Sequence, residues 1–275
     1  MIDLHLHTTA SDGYCSPGEL VARAAAAGLT TIAVTDHDTL AATAEVRRAC
    51  AARGLSSIAG IEITAVESGR DVHVLGYFVN PADPALERFL SAQRRSRIAR
   101  VETLAEKLAS LGMPIDTSEL MAAAVKNEGR SVGRPHVARA MVSAGHVADL
   151  REAFDRWLGH GCPAFVPRRG SPATEVIDAI HGAGGLASLA HPGQTAVDSR
   201  IPALHAAGLD ALEAYHSDHT PEDRDRYLQM AASLGMVVTG GSDYHADPAH
   251  GIDLGSITLP QDAWERLQSR WQPHS

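Results

Sequence analysis

The chain lacks most of what would place it in a membrane or outside the cell. No run of 18 apolar residues occurs among its 275 residues, so no membrane-spanning helix is expected. No basic stretch followed by an apolar one stands near residue 1, so no secretory signal is expected. Cysteine is scarce: Cys15, Cys50 and Cys162 are odd in number, far apart and without a C-x-x-C pair. That argues against a disulfide framework and suits reduced thiols, hence a cytoplasmic location. No fixed-period repeat or low-complexity tract appears, which argues against a solenoid. An excess of positive charge is also missing. The net charge of −9 argues against broad binding to long DNA. It does not exclude a small anionic substrate, because bound cations can outweigh the global sign within a site.

What is present is a hydrophobic content of 44%, enough for a real core. The length suits one large α/β barrel or two smaller domains. Fifteen histidines recur along the chain rather than clustering like a tag.

Strand and helix signals alternate at first. Residues 2–7 alternate apolar and polar side chains, the period of a strand. Ser16, Pro17 and Glu19 open a helix as N-cap, first helical residue and capping-box partner, and it ends at Gly28. Strands are expected at 30–34, 57–65 and 71–78, with a second helix at 39–53. A repeating βαβ pattern implies parallel strands with helices outside. Between residues 83 and 162 the signals are helical only, at 83–111, 117–125, 135–143 and 150–158. The expected organisation is therefore an α/β barrel built from 1–82 and 163–275, with 83–162 an all-helical insertion. Strands return at 185–190, 210–215 and 236–240, with helices at 173–181, 201–207, 221–234 and 262–271. A last short strand is expected at 256–259.

Polar residues concentrate where strands end. Alternation puts Asp3, His5 and His7 on one face of the first strand. Two imidazoles two residues apart sit about 7 Å apart at Cα and can converge on one metal ion. Asp36-His37-Asp38 follows the second strand. Glu62 lies late in the third, among Ile61 and Ile63, where an unpaired charge would be expensive. His73 is in the fourth, and His191, His216, Asp243 and His245 follow the later ones. In a parallel barrel the C-terminal strand ends share one face, where active sites form. Each residue has a bland alternative: His73 between two valines suits a core histidine, His37 a helix cap, His191 a turn, Asp12 an Asp-Gly turn. Together they favour a metal cluster.

The ordered motifs His5-x-His7, Ser11-Asp12-Gly13, Thr35-Asp36-His37-Asp38, Gly60-Ile61-Glu62, His73, His191-Pro192 and Ser242-Asp243-x-His245 resemble the polymerase and histidinol phosphatase (PHP) family. The resemblance covers about 1–82 and 163–275. It implies a distorted (β/α)7 barrel holding two or three divalent ions of manganese, zinc or iron, manganese being favoured. It also implies one ion on His5, His7, Glu62 and Asp243, a second on Glu62, His73 and His191 with Glu62 bridging, and a third on Asp12, His37 and His245. Some members carry histidine where Asp12 stands.

Gly133-Arg134-Pro135-His136 narrows the resemblance to PHP nucleotide phosphoesterases. These act on nucleoside 3′,5′-bisphosphates or, in some members, on 5′ ends of short RNA. The implied reaction is removal of the 3′-phosphate by a hydroxide bridging the first two metals, with Glu62, His191 and His216 at the reacting centre. Arg134, His136, Arg169 and His216 are the substrate-binding candidates, Arg being suited to bidentate phosphate contact. Arg168-Arg169 would ring the entrance. Arg94, Arg95, Arg97 and Arg100 are expected to form a solvated helix face. The alternatives are trimming of short 5′-phosphorylated RNA, hydrolysis of histidinol phosphate, C–N bond hydrolysis, or a non-catalytic metal-binding module.

Overall fold

The computed structural model describes residues 1–126, 129–195, 197–247 and 251–271. Seven strands follow one another in a single sheet in chain order. They are β1 (Ile2–Leu6), β2 (Thr31–Val34), β3 (Ser56–Glu67), β4 (Arg70–Tyr77), β5 (Leu186–Leu189), β6 (Ala211–His216) and β7 (Val237–Gly241). The sheet curls until β1 lies beside β7. There the His7 amide donates to the Tyr244 carbonyl at 3.0 Å. The Asp3 carboxylate also accepts from the Ser242 amide at 3.0 Å and its hydroxyl at 2.7 Å. The result is a nearly closed barrel. Gly241 permits the approach, since a Cβ there would collide with the backbone of His5.

Helices α1 (Pro17–Ala26) and α2 (Thr43–Ala51) connect the first three strands. Between β4 and β5 lie α3 (Pro84–Ser110), α4 (Ser118–Lys126), α5 (Arg134–Ser143), α6 (Leu150–Ala153) and α7 (Ala173–Gly182), with a π-helical turn at Phe154–Leu158. The later connections carry α8 (Pro192–Thr195), α9 (Ile201–Ala206) and α10 (Pro221–Leu234), and α11 (Gln261–Arg270) follows β7. The capping signals act as their chemistry dictates. Ser16 and Glu19 satisfy each other's amides at the start of α1, and Thr220 does the same with Asp223 at α10.

Apolar side chains divide into separate clusters. One fills the space between the sheet and its outer helices, around Ile61, Ile63, Leu75, Ile177 and Leu212. Another, around Val101, Leu104, Leu108, Val137 and Met141, is built by α3 to α6 and the segment after them.

Three expectations are corrected. The strands are not all parallel: β4 runs antiparallel to both β3 and β5. Only Ser68 and Gly69 lie between β3 and β4, at φ of 52° and 76°. Two left-handed residues make a tight hairpin turn, whereas a parallel crossover needs about a dozen residues or more. The proposed strand at 256–259 does not form, and the described strands number seven. In that segment the Leu259 amide donates to the Ile2 carbonyl at 2.9 Å, and Pro260 after it has no N–H to extend a ladder.

The arginines of α3 are not a solvated face. Arg94 and Arg97 are buried, Arg100 is half-buried, and only Arg95 is exposed. Spacing of three residues puts Arg94, Arg97 and Arg100 on the helix side that carries Leu90, Val101 and Leu104, and that side faces the barrel. Arg100 pairs with Asp71 at 2.9 Å, and Arg94 and Arg97 find Asp38, fully buried. Its Oδ2 accepts from Arg97 Nε at 2.5 Å and Arg168 Nη2 at 2.9 Å. Its carbonyl accepts from Arg94 at 3.1 Å.

Burial opposes ionisation of Asp38, but Arg97 and Arg168 overcome it and hold its pKa down at about 2. Its stabilising charge is therefore present above about pH 4, the ordinary carboxylate value, and is lost as pH falls through the folded value of about 2. Asp38 adopts φ of 51°, which asparagine tolerates. Asp38→Asn is expected to cost about 3–5 kcal/mol in urea unfolding at neutral pH, the usual loss when one partner of a buried ion pair is removed. The difference from wild type should shrink below pH 4.

Candidate metal centre

The topology gathers the strand-end residues at the barrel mouth. His5 and His7 come from the end of β1 and the residue just after it. His37 follows β2, where its backbone bridges to Glu62. His73 sits in the first half of β4, opposite Thr64 of β3. In a parallel strand that position would face the wrong end of the barrel. The antiparallel direction of β4 delivers it to the mouth. His191 follows β5, His216 ends β6, and Asp243 and His245 follow β7.

One carboxylate organises the cluster. Glu62 is 1% exposed. Its Oε2 lies 3.4 Å from His5 Nε2, 3.2 Å from His7 Nε2 and 2.9 Å from His37 Nδ1. Its Oε1 lies 2.7 Å from His73 Nδ1 and 3.1 Å from His191 Nε2. Asp243 Oδ1 is 3.3 Å from His5 Nε2 and 3.1 Å from His7 Nε2. Asp12 approaches His245 Nε2 at 3.3 Å and His37 Nε2 at 3.6 Å. His5, His7, Glu62 and Asp243 thus form one group able to hold an ion, His7, Asp12, His37 and His245 another, His37, Glu62 and His73 a third, and His5, Glu213 and His216 a fourth.

These residues fit a divalent cation on their own geometry. His5 Nε2, His7 Nε2, Glu62 Oε2, Asp243 Oδ1, Asp12 Oδ1 and His37 Nδ1 are all buried with no hydrogen-bond partner. Each unsatisfied group would cost about 1–3 kcal/mol if nothing bound it. Bonds of about 2.0–2.2 Å to a tetrahedral ion place ligand atoms about 3.2–3.6 Å apart. The separations in the first group, 3.1 to 3.4 Å, are close to that spacing.

The electrostatics point the same way. Burial opposes a charge on His7, yet Asp243 and Glu62 outweigh it and raise its pKa to about 10. His5 is likewise raised, against burial, by Glu213, Asp243 and Glu62. Burial disfavours the carboxylates of Glu62, Asp12 and Asp243, but the surrounding histidines hold all three well below the ordinary range. A pocket that lifts imidazoles this far demands positive charge. His73 is the exception, pushed down to about 4 by burial, with His37 and His191 adding to the effect.

The backbone is bent to suit. His191 and Asp243 take φ of 27° and 54°, a conformation that costs non-glycine residues about 1–3 kcal/mol and collects at functional sites.

Other candidates lie further out. His216 is buried, with Nε2 3.6 Å from Asp243 Oδ2. Arg134 is half-buried and donates to Asp71 at 3.3 Å. His136 Nδ1 accepts from the Gly133 amide at 3.2 Å, and its Nε2 is buried without a partner. The Arg169 side chain is exposed, whereas Arg168 is turned inward onto Asp38.

Sequence reasoning missed three carboxylates around the cluster. Asp36 ties down the loop after β1, accepting from the Thr8 amide and hydroxyl and from Ser11 at 2.6–2.7 Å. Asp3 holds β7 at Ser242, next to Asp243. Glu213 contacts His5. For Asp3 and Glu213 the available signal was the one applied to Glu62, a charge set among apolar neighbours in a strand; Asp36, between Thr35 and His37 after β2, carries no such signal.

A barrel with an imidazole–carboxylate cluster at its mouth and buried arginines beside it defines a metal-dependent phosphoesterase, a hydrolase acting on phosphate esters. The chain belongs to the PHP family. The PHP domain profile matches residues 3–129. The chain is 32% identical to a 3′,5′-nucleoside bisphosphate phosphatase of Chromobacterium violaceum, over 98% of this chain and 97% of that protein. It is 34% identical to a 5′-3′ exoribonuclease of Salmonella typhimurium, over 97% and 94%. A structure from Bifidobacterium adolescentis, described as a metal-dependent phosphoesterase, superposes with a TM-score of 0.89 at 33% identity, covering 99% of this chain and 96% of that one. Among the described residues no helix is long and apolar enough to cross a membrane.

Elemental analysis after dialysis should find less metal in His7→Ala and in Glu62→Ala than in wild type, because each residue belongs to two of these groups. Wild-type metal content in both would show that the cluster is not the metal site. Since His5 and His7 hold protons at neutral pH until a metal displaces them, manganese addition should release protons. Apparent affinity should therefore rise with pH across the neutral range.

Proposed function

We propose that the protein removes the 3′-phosphate of nucleoside 3′,5′-bisphosphates, giving the 5′-monophosphate and inorganic phosphate. The observation that carries this reading is a cavity of about 110 Å3 beside the metal cluster. Asp12, His37 and His73 line one side of it, and Arg97, Arg100, Arg134 and Arg168 line the other. The volume is well below the ~300–1,000 Å3 typical of sites for drug-sized ligands, so a phosphate group suits it better than a nucleoside does.

Its charge suits a phosphate too. Four guanidinium groups face two carboxylates, Asp38 and Asp71. Burial and the proximity of Arg100 push Arg134 down to about 10. Burial and Arg97 do the same to Arg168. Arg100 Nη2 and Arg168 Nε are buried without partners. A bisphosphate has two anionic ends. One meets the metal cluster, and the other meets these arginines.

The metal centre proposed keeps the ligand set that the resemblance implies: His5, His7, Glu62 and Asp243 for one ion, Glu62, His73 and His191 for a second, Asp12, His37 and His245 for a third; the groups of the structure add His7 to the third and set His37 beside Glu62 and His73. When bound, such ions acidify water and neutralise charge on the transferred phosphoryl group. The protein's residues orient the ester. Arg134 and Arg168 anchor the distal phosphate. His216 Nδ1 accepts from the Asp218 amide at 3.1 Å, so the neutral ring carries its proton on Nε2, which faces the cluster. His216 thus donates a hydrogen bond to a phosphoryl oxygen. The helices of 83–162 act as the substrate cap, since Arg97, Arg100 and Arg134 all come from them.

One observation favours a second reading, 5′-3′ trimming of short RNA. A larger cavity of about 1,010 Å3 opens on the other side of Asp243 and His245, lined also by Arg139, Phe154, Gln194 and Tyr244. It has room for more than one nucleotide.

The test is phosphate or nucleotide release from adenosine 3′,5′-bisphosphate, AMP, histidinol phosphate and a short 5′-phosphorylated oligoribonucleotide. The bisphosphate should be the best substrate. A preference for histidinol phosphate, or no release by fully metal-loaded protein, would overturn the reading. Arg134→Ala should raise KM for the bisphosphate by about 10–100-fold, equivalent to the ~1.5–3 kcal/mol of a hydrogen bond to a charged group. Its effect on a simple monophosphate ester should be small.

A further inference from the structure

We infer that Glu213 is a positioning residue shared by two parts of the metal centre, setting the His5 ring and the His191 main chain with a single carboxylate. The inference rests on the ligand set proposed above. Glu213 lies in β6 and is fully buried. Its Oε1 is 2.9 Å from His5 Nδ1, and its Oε2 accepts from the His191 amide at 2.8 Å. It stands outside the group formed by His5, His7, Glu62 and Asp243, and although it also lies together with His5 and His216, its two oxygens are taken by His5 Nδ1 and the His191 amide.

The consequence for His5 follows from hydrogen-bond chemistry. A carboxylate only accepts, so the Nδ1 of His5 must carry the proton. That leaves the lone pair on Nε2, the atom facing Glu62 Oε2 and Asp243 Oδ1. A ring with the opposite tautomer would point an N–H at the ion position. Carboxylates that hold a ligating histidine this way usually contribute about 10–100-fold to metal affinity.

The consequence for His191 is conformational. Its φ of 27° is strained, and the amide that Glu213 grips belongs to that residue. Its ring stacks near that of His5, with centroids 5.9 Å apart. Its Nε2 then reaches Glu62 Oε1, the oxygen on the other side of the bridging carboxylate from His5. Glu213 and Glu62 therefore approach the same two histidines from opposite sides. Glu62 meets them at the ligating nitrogens, and Glu213 fixes them from behind.

A residue that merely filled the barrel could be replaced by glutamine at equal volume. Glutamine cannot do the positioning. It has one oxygen to offer two N–H donors, and its NH2 would face whichever donor is left. The experiment is manganese titration of full-length Glu213→Gln, with the unfolding temperature of the metal-free protein as control. We expect affinity to fall by about 10–100-fold in a variant that still unfolds cooperatively without metal, at a lower temperature than wild type because the buried Glu213–His5 pair is broken. Wild-type affinity in Glu213→Gln overturns the inference. If His7→Ala loses metal and Glu213→Gln does not, the inference fails and the ligand set stands. If neither loses metal, the ligand set itself is wrong.

Should Glu213→Gln not fold, histidine-selective 15N NMR of zinc-loaded wild-type protein gives the answer directly. His5 is expected to be protonated at Nδ1 and to ligate through Nε2. A proton on Nε2, or ligation through Nδ1, overturns the assignment.

Discussion

The structure is organised around negative charge buried at the barrel mouth. Glu62, Asp12, Asp243 and Glu213 are brought together where solvent is largely excluded and where an unpaired carboxylate would be very costly. Imidazoles answer that charge, and His5 and His7 are held well above the ordinary histidine range by it. Two features of the fold serve this one requirement. The sheet must curl until β1 meets β7, so that Asp243 can face His5 and His7. β4 must run backwards, so that His73 reaches Glu62.

A second electrostatic layer lies beside the first. Asp38 and Asp71 each receive guanidinium groups brought by different segments, Arg97 and Arg168 for one, Arg100 and Arg134 for the other. The two layers differ in what balances them. The cluster is rich in carboxylates and wants metal. The arginine side has more cations than nearby carboxylates and suits an anion. A phosphate ester lying between them satisfies both. This juxtaposition, more than either part alone, makes a phosphoesterase of the barrel.

Much of this was legible in the sequence, for identifiable reasons. Strand periodicity, the Ser16 and Thr220 caps and the strand-end ligands are local features, and local chemistry sets them. The residues whose roles were missed act over long range. Asp38 looked like part of a metal motif, but its partners arrive from α3 and the segment before α7. The spacing of Arg94, Arg97 and Arg100 showed a shared helix face without showing which way it turned. The hairpin of β3 and β4 turns on two residues, but strands expected at 57–65 and 71–78 left five between them, and the alternating pattern upstream suggested a parallel continuation.

The sequence by itself determined which side chains could bind metal and which strand ends carry them, because a period of two and a terminal position are enough to place a ligand. Only the tertiary structure decided how those ligands combine. That Glu62 presents one oxygen to His5, His7 and His37 and the other to His73 and His191 depends on the curvature of the sheet and the reversed direction of β4. That Glu213 stands behind two of those histidines depends on β6 lying between β5 and β7. Neither relation has a signature in chain order, because each joins residues carried by different strands or by the loops that follow them.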